Sequence, residues 1–169
     1  MFLHRGMLEW LVAWLDKLPE LRCYASLFIF TYAFLLRMPS EALPVTRGGD
    51  TCGLSLEDGE LVLRLARRKN RPAGSRIRRG CWCRQSASTC PVHRLRPVLE
   101  SVGEGAKLFE DITPAKAIKM LRGALAALGV PRAAQYRTHD FRRGHAKDLQ
   151  ESGVSVPGCD CFCINLFCV

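Results

Sequence analysis

The sequence has no apolar stretch long enough to cross a lipid bilayer. Its longest run, residues 23–36, contains 14 residues, whereas a membrane-spanning helix needs ~20. It also shows no secretory leader, no internal repeat and no low-complexity segment. From these absences we predict a soluble, intracellular protein without a membrane partner, nuclear if its source is eukaryotic, with a buried core helix at residues 23–36.

Cysteine is plentiful but lacks the distribution of a disulfide framework. The nine cysteines are an odd number, and two of them, Cys23 and Cys52, stand alone. The others fall into one group at residues 81–90 and a second group at residues 159–168. This distribution favours reduced thiols or metal ligation over disulfides, as is usual in a reducing compartment.

The composition excludes an intrinsically disordered chain, because 48% of the residues are hydrophobic and 24% are charged. A chain of 169 residues is long enough for one domain with a substantial core. The net charge of +9 favours a polyanionic partner, with nucleic acid ahead of a membrane surface. The alternative is that the charge serves solubility alone.

The first third of the chain is predicted to be helical. Apolar residues at helical spacing between Leu8 and Leu18 predict a first amphipathic helix. Pro19 is suited to the start of a second helix, which continues through the apolar run towards Arg37. Pro39 should end that helix, because the residue before a proline avoids the α region, and a short helical turn should follow.

The middle of the chain changes to strand periodicity. Alternating apolar residues on both sides of Asp58-Gly59 predict a hairpin, and residues 75–79 predict a third, basic strand. Later helices are predicted at residues 97–102, from Thr113 to Gly129, and from His139 to Glu151. The fold class is therefore α+β, a mainly helical domain with a small antiparallel sheet inserted between helices.

The predicted sheet carries a run of basic residues, from 64 to 79, that contains no acidic residue. On a hairpin, this run would form a cationic projection suited to a phosphate backbone. The alternative is a charged edge that prevents aggregation between strands. The residues that we expect to contact DNA are Arg67, Arg68, Arg71, Arg76 and Arg78.

Three residues are predicted to grip a phosphate and are called the Arg–His–Arg set: Arg37, His139 and Arg142. His139 and Arg142 are three residues apart and therefore share a face in the first turn of their helix, where unpaired N–H groups attract anions. Arg37 follows an apolar helix and needs a partner or a ligand there. Guanidinium groups and an imidazole donor suit a phosphodiester.

With Lys69 on the hairpin between Arg37 and the segment THDFRRGHA, the chain resembles the catalytic domain of the tyrosine recombinase (phage integrase) family over residues 8–153. The resemblance implies DNA integration and recombination by strand cleavage and rejoining, through a covalent phosphotyrosyl link and without a catalytic cofactor. Arg37 and Arg142 would neutralise the phosphate oxygens. Lys69 would protonate the leaving oxygen, His139 would assist proton transfer, and Glu41 would hold Arg37.

The sequence departs from the family at the nucleophile, because no tyrosine follows Tyr136. The Arg37–Glu41 spacing is also wider than in the family, whose core-binding domain is missing here. We therefore expect residues 1–153 to be a partial, catalytically incomplete domain from a mobile element. It would bind double-stranded DNA, with homo-oligomers on DNA in a full-length form. Residues 154–169 are expected to be a disordered, cysteine-rich tail outside the family.

Three thiols and an imidazole at Cys81, Cys83, Cys90 and His93 match the ligand types of tetrahedral zinc. We predict a structural zinc at the edge of the sheet; the alternative is a cluster of reduced thiols. The rival function is therefore a non-enzymatic, zinc-stabilised module that binds nucleic acid. A weaker rival is a basic domain that binds an acidic protein.

Overall fold

The computed structural model describes residues 1–67 and 73–153 of the chain. The predictions for Arg68, Lys69 and Arg71, and the predicted tail at 154–169, lie outside these residues. Within them, the structure is α+β, as predicted, with helices before and after a four-stranded sheet in the chain. No helix in the described ranges is both long enough and apolar enough to span a membrane.

Helix α1 (Arg5–Leu15) follows the predicted periodicity, with Leu8, Leu11, Val12 and Leu15 buried. The Nδ1 atom of His4 caps its start by accepting a hydrogen bond from the third N–H of the helix at 3.4 Å. Leu18, which fits the same periodicity in the sequence, lies beyond the helix end and is 47% exposed. The periodic pattern therefore continues past the point where the helix stops.

Helix α2 (Arg22–Ala33) follows a 3-10 turn (Pro19–Leu21) and is buried along residues 25–33. It ends before the predicted limit at Arg37. Leu35 adopts φ 55°. Its N–H donates to the carbonyl of Tyr32 at 3.1 Å, and the N–H of Leu36 donates to the carbonyl of Thr31 at 3.0 Å. These two bonds are the Schellman pattern, which ends a helix within one turn. The short helical turn predicted after Pro39 is present as a π-type turn (Met38–Ala42).

The sheet consists of β1 (Thr46–Arg47), β2 (Cys52–Glu57), β3 (Glu60–Leu65) and β4 (Ser75–Arg79), in that spatial order. Strands β2, β3 and β4 are antiparallel, as predicted, whereas β1 pairs parallel to β2, so the sheet is mixed. The parallel strand β1 was not predicted, because it has two residues, too few for an alternation to show. The Asp58-Gly59 turn has φ 51° and 79°, typical of a tight hairpin.

Helix α3 (Pro91–Ser101) begins earlier than predicted, so that Pro97 lies inside it. Helix α4 (Pro114–Ala127) starts at the predicted cap, Thr113, and ends before Gly129. A 3-10 turn (Ala133–Gln135) leads to α5 (Asp140–Glu151), which has the predicted limits. Helix α5 packs on α2, where Phe141 and Phe28 stack with ring centroids 5.0 Å apart.

Candidate nucleic-acid interface and metal site

Arg37 lies in the turn after α2, and its main chain is held by Glu41. The Arg37 N–H donates to Glu41 Oε2 at 2.8 Å, and the Arg37 carbonyl accepts from the Glu41 N–H at 2.8 Å. The Glu41 side chain is buried. Because both bonds close the same turn, Glu41 fixes the direction in which the chain leaves α2 and presents Arg37.

The other two members of the Arg–His–Arg set lie at the start of α5. His139 directly precedes the helix and Arg142 is in its first turn. The buried carboxylate of Asp140 accepts a hydrogen bond from the Arg137 N–H at 2.8 Å and lies 3.8 Å from the Met1 ammonium group. Asp140 therefore anchors both the entry to α5 and the first residue of the chain.

The electrostatics of His139 connect the set. Desolvation by burial lowers the pKa of His139 first, and the positive charges of Arg142, Arg143 and Arg37 lower it further, against a smaller opposite effect of Asp140. The fold thus brings the charge of Arg37, distant in sequence, to bear on the start of α5. Arg143 was not predicted for the site, although it stands beside Arg142 in the sequence.

The three tyrosines of the chain are engaged elsewhere. The Tyr32 hydroxyl donates to Asp148, and the Tyr136 hydroxyl donates to Met7 Sδ at 3.7 Å. Tyr24 packs against Phe28 at a centroid distance of 6.3 Å. Burial raises the pKa of all three phenols. A raised pKa makes a phenol a poorer nucleophile at neutral pH.

Acidic residues of neighbouring strands neutralise part of the basic hairpin. Arg64 Nη2 and Arg76 Nη2 lie 2.5 and 2.7 Å from the carboxylate oxygens of Glu57. The Ser55 hydroxyl and these two guanidinium groups lower the pKa of Glu57 to about 2. Arg78 Nε pairs with Glu60 at 2.7 Å. Of the residues predicted to contact DNA, Arg76 and Arg78 thus carry intramolecular ion pairs, and Arg67 is exposed.

Arg79, the last basic residue of the run, points into the protein. Its Nε donates to the carbonyl of Ala33 at 2.7 Å, and its guanidinium carbon lies 5.5 Å from the centre of the Phe34 ring. Desolvation lowers the pKa of Arg79 to about 10. Arg79 therefore joins β4 to the end of α2 and contributes little to the outer basic face.

The four predicted metal ligands converge in a loop at residues 80–90, called the cysteine loop, and the start of α3. Their ligand atoms all lie within 4.8 Å of one another, so the group could hold a metal ion. The Nδ1 atom of His93 is 3.7, 3.1 and 3.3 Å from the sulfurs of Cys81, Cys83 and Cys90. A single imidazole nitrogen makes one hydrogen bond, so contacts to three sulfurs exceed what hydrogen bonding explains.

The spacing of these atoms is close to that of a tetrahedral centre, although the sulfurs of Cys83 and Cys90 lie nearer to His93 Nδ1 than zinc would place them. With zinc bonds of about 2.3 Å to sulfur and about 2.0 Å to nitrogen, two sulfurs are separated by roughly 3.8 Å and a sulfur and a nitrogen by roughly 3.5 Å. The Cys81 and Cys90 sulfurs are 3.7 Å apart. The five cysteines of the described residues form no disulfide, and Cys90 is buried while Cys81 and Cys83 are exposed.

The local backbone arranges the ligands and their protonation. Cys90 directly precedes α3, whose first turn, opened by Pro91, presents His93. The Cys83 N–H donates to Cys81 Sγ at 3.4 Å and lowers the pKa of Cys81, whereas the adjacent Cys81 sulfur raises the pKa of Cys83. Thiols this close ionise together only when a cation compensates their charge.

Comparisons with protein-family models, with curated proteins and with solved structures found no match to this chain. The resemblance to tyrosine recombinases therefore stays a prediction from the sequence order of Arg37, His139 and Arg142, and Lys69 lies outside the described residues.

Proposed function

We propose that the chain binds double-stranded DNA by gripping a backbone phosphate with the Arg–His–Arg set. The observation that carries this proposal is the place of His139 and Arg142 together at the start of α5, where the Arg37 charge also contributes to the lowered pKa of His139. Two guanidinium groups and an imidazole donor would make an anion site of the kind that a phosphodiester occupies. The resemblance to tyrosine recombinases favours DNA over other phosphate ligands.

The positive surroundings of His139 also account for how the set would act. Without a bound anion, the arginine charges oppose protonation of the imidazole. A phosphate supplies the opposite charge, which restores protonation and adds a donor to the guanidinium bonds. The three residues therefore cooperate only when an anion lies among them.

We further propose that this chain binds DNA without cleaving it by a tyrosine of its own. Strand cleavage in the family needs a tyrosine that reaches the phosphate. Tyr32 and Tyr136 are buried, and their hydroxyls donate to Asp148 and Met7. Tyr24 packs on Phe28 in the core.

The test is DNA affinity against salt concentration, measured by fluorescence anisotropy on a labelled duplex with a nick. Arg37→Ala and Arg142→Ala should each weaken binding and reduce the salt slope by about one, as expected for a lost phosphate contact. Arg96→Ala is the control, because Arg96 is an exposed residue on α3 that pairs with Glu100. Equal losses in all three variants would contradict a specific grip, and a covalent protein–DNA complex would contradict the non-cleaving proposal.

The convergence of the Cys81, Cys83, Cys90 and His93 ligand atoms favours a second candidate function, a nucleic-acid-binding module whose structure depends on zinc. We propose that the ion is a structural zinc, since four protein ligands leave no open position for chemistry. Purified protein should contain one zinc per chain, and His93→Ala should lose it. In this second function, DNA affinity depends on Cys83 and Cys90 and is unchanged by Arg37→Ala.

A further inference from the structure

We infer that the metal centre positions helix α5, and with it His139 and Arg142, through Trp82 and Gln85 of the cysteine loop. The inference deepens the proposed function and rests on it, because it joins the proposed zinc site to the proposed phosphate grip. Neither Trp82 nor Gln85 is a metal ligand or a member of the Arg–His–Arg set. Both are positioning residues.

Trp82 is the first connection between the loop and α5. It stands between Cys81 and Cys83 in the sequence, and its N–H donates to Cys90 Sγ at 3.2 Å. Its side chain is buried, and its ring meets the ring of His145 edge-on, at a centroid distance of 5.9 Å and an angle of 77°. The backbone of Trp82 is therefore held by the sulfur of Cys90, a proposed metal ligand, and its ring packs on α5.

Gln85 is the second connection. Its N–H donates to the Trp82 carbonyl at 2.8 Å, and its Oε1 accepts from Arg5 Nη1 at 3.2 Å. The backbone N–H of Arg5 donates in turn to Asp148 Oδ2 at 2.8 Å. A continuous series of bonds thus leads from the cysteine loop through the start of α1 to Asp148, in the C-terminal half of α5.

The contact between the loop and α5 is not tightly packed. A cavity of about 310 Å³ lies there, with Arg5, Trp82, Gln85, His145 and Asp148 in its wall. The loop has turns but no helix or strand of its own. Because the loop has no helix or strand, ligation of a metal by three of its residues would be a strong additional constraint on its conformation.

The consequence is a link between the metal and DNA binding that involves no metal–DNA contact. When the ion is removed, Cys90 is no longer tied to the other ligands, and the hydrogen bond from the Trp82 N–H to its sulfur holds the loop less firmly. The ring contact with His145 then weakens, and α5 keeps its packing on α2 but loses support on the loop side. His139 and Arg142 then occupy a wider range of positions, and the affinity for a phosphate decreases.

The experiment measures amide hydrogen exchange along α5 in the full chain, with zinc bound and after chelation. Zinc content is determined in the same samples. Trp82→Ala should leave the four ligands and the zinc in place while α5 exchanges about threefold to tenfold faster, as expected from loss of one aromatic contact. Trp10→Ala is the matched control, because Trp10 lies on α1 and is 65% exposed. Gln85→Ala tests the second connection and keeps the Trp82 ring.

Faster exchange in α5 after chelation, with weaker DNA binding, supports the inference. Unchanged α5 exchange after verified zinc loss overturns it and leaves the zinc proposal standing, and this result does not depend on whether the Trp82 variant folds. If α5 responds but the zinc-bound protein binds no DNA, positioning by the metal is supported and the DNA function fails. If wild-type protein binds no zinc, both the zinc site and the inference are overturned.

Discussion

The Nδ1 atom of His145 lies 2.6 Å from the carbonyl oxygen of Tyr32, and the two aromatic rings stack with centroids 4.4 Å apart. Because a carbonyl only accepts, Nδ1 carries the proton of the neutral imidazole. Burial is the main cause that lowers the pKa of His145 to about 4. This neutral histidine joins α5 to α2 from within the protein.

His145 makes stability depend on pH. The unfolded chain protonates this residue near pH 6.5, whereas the folded chain does so only near pH 4. The contribution of neutral His145 to the free energy of unfolding is therefore full above pH 6.5. It decreases as the pH falls from 6.5 to 4, by about 3 kcal/mol in total. Urea unfolding at a series of pH values measures this loss.

His145→Asn tests the assignment, since its amide can donate where Nδ1 does but does not titrate. We expect a flatter pH profile in this variant. His4→Asn is the control, because asparagine also caps a helix and His4 is exposed. If His145→Asn kept the wild-type pH dependence, the acid sensitivity would come from other groups.

The pKa of His139 should report directly on Arg37. Since the Arg37 charge helps to lower this pKa, Arg37→Ala should move it upwards, towards the ordinary value for histidine. NMR titration of the imidazole measures the shift, with Arg96→Ala as the control. Added DNA should also raise the pKa, so that DNA affinity increases as the pH falls through the titration of His139. An unchanged pKa in Arg37→Ala would show that the two charges do not interact.

Glu57 should restrain the basic hairpin. Glu57→Gln would free Arg64 and Arg76 from their shared partner, so DNA binding should become tighter and its salt slope steeper by about one to two. Glu20→Gln changes the net charge equally at an exposed turn before α2 and serves as the control. Equal gains in both variants would mean that net charge alone matters.

Glycine should be required at position 144, because the backbone of the first residues of the chain passes close to α5 at this point. A Cβ atom at this position would lie 1.9 Å from the carbonyl oxygen of Leu3, which is backbone and has little freedom to move. Gly144→Ala should therefore cost about 1–3 kcal/mol of stability. Gly123→Ala, in α4, meets no atom within 4 Å and should stabilise by about 0.5–1 kcal/mol. Thermal unfolding of both variants distinguishes steric crowding from helix propensity, and a stabilised Gly144→Ala would exclude the clash.

Local signals in the sequence were sufficient for much of the fold. The Thr113 cap, the Asp58-Gly59 turn and the limits of α5 were predicted correctly because each depends on residues only a few positions apart. The metal ligands were also identified correctly as a group that could hold an ion, since Cys90 and His93 share one helix start and Cys81 and Cys83 one short loop. Thr113 and Asp58 each act within their own turn of the chain, so the nearby sequence already contains the signal for both features.

Tertiary structure decided the features that depend on distant residues. The early end of α2 before Leu35, the inward contacts of the half-buried Arg79 and the pairing of Arg76 with Glu57 have no signature in neighbouring residues. The effect of Arg37 on His139 likewise exists only after the turn beyond α2 and the start of α5 have packed into one structure. The sequence by itself indicated which side chains are of the types that suit a phosphate or a metal. Only packing determined which of their charges remain available, because ion pairs and desolvation depend on the distances between segments.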